Sequence, residues 1–318
     1  MRCSRLLILL SLFVVFLTTS APATTAVTEG FVTTDDGVRL YYIERGSGDA
    51  LVVPVALYLA PHLLEDLSQN RRVIFYDPRN RGLSDAADLS TVSLDRQIED
   101  LESLRNELGI DKMALLGWSG LGMEMAVYAL RYPNHVTRLI QLSPIPPAAS
   151  IMRESGDTRV QAPDRMALDA LDARADAGEF DDTPEVYCRI RNALTDPTNF
   201  VDTELAKQVP DVCEHENEWP KNLWPYFSTL LPSFGDYDWR DDLRDLDIPR
   251  LVIHGREDGI PLAGAEAWAR GYRQARLIVL SPCGHFSYIE QKQAVLAAVN
   301  TFLDGKWPEN ALSVNGSH

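Results

Sequence analysis

The sequence predicts an α/β fold: a mostly parallel sheet covered by helices on both faces, interrupted by an inserted helical segment. Three observations point there. Short apolar runs alternate with stretches of helical period along most of the 318 residues. Most of these runs are apolar at consecutive positions, as in strands buried on both faces. The alternation lapses between Pro144 and about Leu231, a gap far longer than the ~4–6 residues of an ordinary connection.

The elements follow in order. Segments 30–34 and 38–44 flank Asp35-Asp36-Gly37, a hairpin signal in which Gly supplies the positive φ, so the sheet starts antiparallel. Apolar runs at 51–55, 72–76, 113–116, 136–142, 251–254 and 277–280 are each bounded by Gly, Pro or charge and read as buried parallel strands. Between them, Ile98, Leu101, Leu104 and Leu108 share one helix face, with Ser93 as N-cap and Gly109 as the C′ residue. Met123, Ala126, Val127 and Leu130 make a second stripe, and Ala294, Leu296, Ala297 and Phe302 a C-terminal one. Strand and helix in alternation give a doubly covered parallel sheet.

The chain outside that pattern is equally informative. Arg2 and Arg5 precede an apolar run, 6–17, and the small residues Ser20-Ala21-Pro22-Ala23, which reads as a secretory leader cleaved near Ala23. The run is shorter than the ~20 residues of a spanning helix, so no stable membrane insertion is expected after cleavage. The expected division is a leader at 1–23, a first core part at 24–143, a helical cap at 144–231 and a second core part at 232–318. Cap features are the prolines at 144, 146 and 147, an acidic helical piece at 166–177, and Trp219, Trp224, Tyr226 and Phe227 at its exit.

A net charge of -16 repels phosphate backbones, which argues against a nucleic-acid partner. Four Cys cannot make a disulfide scaffold, so the fold must rest on its own core. Without the leader, Cys188, Cys213 and Cys283 remain. Cys188 and Cys213 share one irregular region and could pair; three buried thiols are the other reading, and the sequence leaves both open. No Cys/His spacing resembles a metal site, and none is expected.

Chemistry concentrates at three strand ends. Leu115-Leu116-Gly117-Trp118-Ser119-Gly120-Leu121-Gly122 is an apolar strand running into a turn that opens a helix. A Ser there projects its Oγ from the carboxyl edge of the sheet beside helix N–H groups. Strand 251–254 leads to Asp258 and strand 277–280 to His285, each just past a carboxyl end, where open parallel sheets form their sites. The order Ser119, Asp258, His285 is that of one arrangement of the Ser, acid, His triad. In it His285 would take the Ser119 proton and Asp258 would fix the imidazole tautomer.

With these segments in view, the chain resembles the α/β-hydrolase superfamily over nearly all its length after the leader. Phe75-Tyr76-Asp77-Pro78-Arg79-Asn80-Arg81-Gly82-Leu83-Ser84-Asp85 is similar to that family's D-x-R-x-x-G-x-S loop. Tyr128-Ala129-Leu130-Arg131-Tyr132-Pro133 and Ile140-Gln141-Leu142-Ser143-Pro144 extend the likeness, and the cap falls where lidded members carry theirs. The nearest look is to the prolyl-aminopeptidase-like branch.

Two departures stand out. Members usually carry His-Gly after the third strand, and the following N–H completes an oxyanion hole; here the segment is Val53-Pro54-Val55-Ala56-Leu57, so the resemblance assigns that donor to Ala56. The other donor is Gly120, after the nucleophile. Leu121 stands where the elbow's second small residue is expected. Trp118 reads as a wall of the acyl pocket and His254 as a structural residue. Glu214, Glu216 and Glu218 read as a solvated face, or else as a holder of a substrate amine.

The resulting expectation is an exported serine hydrolase acting on a small-molecule ester or short peptide amide, without metal or organic cofactor. A prolyl-type aminopeptidase is the narrower alternative. A non-catalytic ligand-binding or receptor protein on the same fold is the other, motivated by Pro54 and Leu121.

Overall fold

A computed structural model describes residues 26–155, 164–270, 272 and 274–314. The leader read at 1–23 lies outside the described residues. Strands β1 (Thr28–Thr33) and β2 (Arg39–Arg45) form the antiparallel hairpin, with Gly37 at φ 88° in its turn. Six further strands follow: β3 (Ala50–Pro54), β4 (Arg72–Tyr76), β5 (Met113–Trp118), β6 (Val136–Leu142), β7 (Arg250–Gly255) and β8 (Ala275–Leu280). They join one eight-stranded sheet of order β1-β2-β4-β3-β5-β6-β7-β8, parallel from β4 onward.

Every residue of β3 and of β7 is buried, which is why these strands are apolar without alternation. Alternate side chains enter two separate cores. Val52, Ile74, Leu115, Leu139 and Val252 pack with Ile98 and Leu101 of α2 (Leu94–Glu107), Met123 and Ala126 of α3 (Gly120–Arg131), and Trp268 of α8 (Leu262–Ala269). Val53, Phe75, Leu116, Ile140 and Ile253 pack with Leu59 and Leu63 of α1 (Ala56–Leu67) and with Leu296 and Phe302 of α10 (Lys292–Leu303). Each such side chain contributes about 1.5–3 kcal/mol by leaving water. Ser93 caps α2 as read, its Oγ accepting from the Arg96 N–H at 3.2 Å, and Gly109 takes φ 63° beyond its end.

Helix α1, like α8, was not anticipated in the sequence analysis. Pro61 lies inside α1 and Val55, at its start, offers no capping side chain. Between β6 and β7 the chain leaves the sheet and forms α4 (Ala149–Ser155), α5 (Arg165–Asp176), α6 (Pro184–Thr195) and α7 (Pro220–Ser233) with short 3₁₀ turns. A Cys188–Cys213 disulfide ties α6 to the turn Val212–Glu214, and Cys283 is a buried free thiol. The short α9 (Ser287–Glu290) follows β8.

Strand order sets the position of the site. From β3 the chain moves to β4 on one side and then to β5 on the other, so a crevice opens between the carboxyl ends of β3 and β5, where loops depart in opposite directions.

Candidate active site

Ser119 joins β5 to α3 with φ 58° and ψ −129°, a conformation that L side chains rarely adopt. The surroundings hold it there. Its N–H donates to the Leu142 carbonyl at 2.9 Å, and its carbonyl accepts from Gly122 at 3.0 Å and Ile145 at 3.3 Å. Gly117 permits the turn: a Cβ on it would lie 2.4 Å from the Leu121 carbonyl oxygen and 2.7 Å from the Gly122 Cα. The small residue that strand–helix contact requires after the nucleophile is therefore met by Gly122, not at position 121. The Leu121 side chain packs against the core that contains α1 and α10.

His285 Nε2 lies 3.1 Å from Ser119 Oγ, and its Nδ1 lies 3.0 Å from both Asp258 oxygens. Asp258 also accepts the Ile260 N–H at 2.8 Å. Burial works to raise its pKa, but the adjacent His285 and these hydrogen bonds outweigh it, so the carboxyl sits below its ordinary value. The three groups named from sequence thus meet in one hydrogen-bonded line. His285 is fixed further by its N–H to the Asn199 carbonyl, 2.8 Å, and by the Trp118 indole N–H to its own carbonyl, 3.1 Å.

Several supports were not legible in sequence. Glu257 accepts from the Cys283 N–H and the Ser281 hydroxyl, binding the Asp258 loop to the His285 loop. Glu290 accepts from Gly284 and from Val201 and Asp202 of the insertion. All but the Gly284–Glu290 tie join residues more than twenty positions apart, so no local spacing announces them. His254 is buried, and its Nε2–H donates to the Ile260 carbonyl at 2.9 Å; burial lowers its pKa, in keeping with a structural residue.

Ala56 and Gly120 are the first residues of α1 and α3, whose opening N–H groups have no intrahelical acceptor. Because β3 and β5 pair, these two positive helix ends lie side by side at the crevice. Val55, at φ 57°, is the single joint between β3 and α1, and the Leu57 N–H donates to Asp77 Oδ1 at 3.2 Å. A cleft of about 290 Å³ lies beside Ser119, lined by Met152, Asn199, Asp258, Gly259, Ile260 and His285. Trp118 is half-buried against Tyr58, His285, Phe286 and Tyr288, where its contacts brace the His285 loop.

The acidic cluster of the insertion is not one face. Glu214 and Glu216 are exposed, whereas Glu218 is 2% exposed and paired with Arg81, Nε to Oε1 at 2.9 Å and Nη2 to Oε2 at 3.1 Å. The solvated-face reading fails for Glu218, whose carboxylate Arg81 neutralises in a dry setting, and that pairing argues against amine holding by this one residue. Among the described residues no cluster of three or more His, Cys, Asp or Glu could hold a metal ion.

The family model for the alpha/beta hydrolase fold matches residues 46–292. The chain belongs to the α/β-hydrolase fold family. This α/β hydrolase is similar to a proline iminopeptidase of Saccharolobus solfataricus, 26% identical over 260 residues that span 78% of this chain and 80% of that one. It is also 26% identical over 299 residues to a proline iminopeptidase of Heyndrickxia coagulans, covering 87% of this chain and 99% of the relative. A solved serine hydrolase from Cycloclasticus zankles superposes with a TM-score of 0.66 at 19% identity, over 88% and 99% of the two chains, a likeness of fold. The branch read from the sequence is the branch of these curated relatives.

Proposed function

We propose that this α/β hydrolase is an exported serine hydrolase that cleaves an ester or a small peptide amide through an acyl-Ser119 intermediate. The observation that carries the proposal is the line Ser119 Oγ, His285, Asp258, with contacts of 3.1 and 3.0 Å. His285 takes the Ser119 proton as Oγ attacks the substrate carbonyl, and returns it to the leaving group. Asp258 holds the Nδ1–H tautomer and stabilises the imidazolium. The N–H groups of Ala56 and Gly120 receive the negative oxygen of the tetrahedral intermediate. Water then repeats the sequence on the acyl-enzyme, with His285 again as base. Trp118 stands next to Ser119 in the chain and would wall the acyl side.

Export draws support from the leader-like N-terminal sequence and from the Cys188–Cys213 bridge, since disulfides persist in oxidising compartments. The proline iminopeptidase relatives favour a second, narrower reading, a prolyl-type aminopeptidase.

The test is titration with a fluorophosphonate, together with turnover of p-nitrophenyl butyrate and of proline p-nitroanilide, in wild type and Ser119→Ala. Labelling and turnover lost in the variant are expected. Turnover of the anilide selects the aminopeptidase and turnover of the ester alone an esterase. No labelling and no turnover would overturn the proposal in favour of a non-catalytic binding protein.

A further inference from the structure

We propose that Asp77 is the positioning residue for the α1 half of the oxyanion hole, and that the helical insertion completes this positioning by seating Glu218 on Arg81 and Gly82. The inference rests on the serine-hydrolase reading and specifies how the Ala56 amide is aimed.

No loop separates β3 from α1. Strand β3 passes into α1 through one residue, Val55, which is β-branched and held at φ 57°. A β-branched residue disfavours that region, so it persists only where neighbours impose it. Val55 supplies no side-chain cap to α1. The cap comes from another segment: Asp77 Oδ1 accepts the Leu57 N–H at 3.2 Å, next to the Ala56 amide. A carboxyl at this point satisfies an orphan helix N–H and fixes the direction of the first turn.

Asp77 is held in turn. Its Oδ2 accepts the Leu83 N–H at 3.1 Å and its own N–H donates to the Tyr41 carbonyl at 3.0 Å. Gly82 folds so tightly over the carboxyl that a Cβ there would stand 2.2 Å from Oδ2. That fold is fastened from the insertion. The Gly82 N–H donates to Glu218 Oε1 at 2.8 Å beside the Arg81 pair, and Asn217 Nδ2 donates to the Gly82 carbonyl at 3.1 Å and the Ser84 carbonyl at 2.7 Å. A continuous set of contacts thus runs from Glu218 through Gly82 and Asp77 to Leu57 and Ala56. Seating the insertion and aiming the oxyanion donor become one event. Oxyanion donors act only when aligned to the developing charge, so a displaced α1 end would slow chemistry with little effect on substrate binding.

The test compares wild type, Asp77→Ala, Asp77→Asn and Glu218→Ala on whichever chromogenic substrate wild type turns over. The readouts are kcat, KM, the inhibition constant of phenylboronic acid and the melting temperature. The boronate forms a tetrahedral adduct on Ser119 that puts an anionic oxygen toward the same donors. For Asp77→Ala a kcat loss of ~100-fold is expected, since removing one oxyanion donor costs roughly 10²–10³. KM should stay within about two-fold, and boronate inhibition should weaken in parallel with kcat. Asp77→Asn keeps one acceptor, for the Leu57 N–H, but sets its amide Nδ2 against the Leu83 N–H, so it recovers only part of the rate. Glu218→Ala shows the same pattern at smaller amplitude.

A folded Asp77→Ala protein with unchanged kcat and boronate inhibition overturns the inference. So does a folded Asp77→Ala protein whose kcat falls while boronate inhibition stays at the wild-type value. If wild type is neither labelled at Ser119 nor active, the serine-hydrolase reading itself has failed. Activity in wild type with unaffected variants removes the positioning role alone.

Discussion

Replacing Glu124 by Gln leaves stability at pH 5 nearly unchanged and raises it at alkaline pH. Glu124 lies on α3 five residues past Ser119 and is 4% exposed. The nearby cation, Arg81, is engaged by Glu218, and burial pushes the Glu124 carboxyl up from 4.5 to about 8. The folded state therefore holds this proton where the unfolded chain has released it. Stability from the group is fully present below pH 4.5 and is lost as pH rises through about 8. At 1.36 kcal/mol per pH unit the interval from 4.5 to about 8 amounts to roughly 5 kcal/mol, a ceiling that relaxation around the charge reduces. Gln is isosteric with the neutral acid and does not titrate. Urea unfolding at pH 5, 7 and 9 checks this: the advantage of Glu124→Gln over wild type grows with pH to a few kcal/mol. Parallel pH profiles for the two proteins would refute the reasoning.

Other perturbations bear on the site and the insertion. Asp258→Asn keeps the shape but lets His285 adopt the wrong tautomer, so kcat on a chromogenic ester falls by ~10³–10⁴ with the melting temperature little changed. Gly117→Ala drives a Cβ into the Leu121 carbonyl; calorimetry then gives a loss of about 1–3 kcal/mol, and fluorophosphonate labelling slows as Ser119 tilts. The double change Cys188→Ser and Cys213→Ser opens a loop of 25 residues and costs about 3 kcal/mol in the chain-entropy account, read as a drop in urea midpoint that reducing agent reproduces in wild type.

The sheet was legible because its strands are buried on both faces. Segments 72–76 and 136–142 are bounded as read, since flanking charge and proline end them. Ser119, Asp258 and His285 were legible because each lies within five residues of the carboxyl end of a strand, so the strand count carries them to that edge. Helix α1 was hidden by Pro61 and by the lack of a capping residue at Val55, local signals that the packing of Leu59 and Leu63 overrides. Glu218 was misread because its partner is Arg81, 137 residues away, and a contact of that range leaves no periodic trace. Asn199, Glu257 and Glu290 were missed for the same reason.

Cys283 is fully buried two residues before His285, with its N–H tied to Glu257. Burial, reinforced by the charges of Glu290, Asp258 and Glu257, pushes the thiol well above its ordinary pKa. The reactive thiolate is thus withheld while the segment after β8 is seated. A thiol reagent in solution reaches this sulfur only during excursions in which that segment lifts away, so the rate of native-state modification is a clock for the opening of the very loop that carries His285.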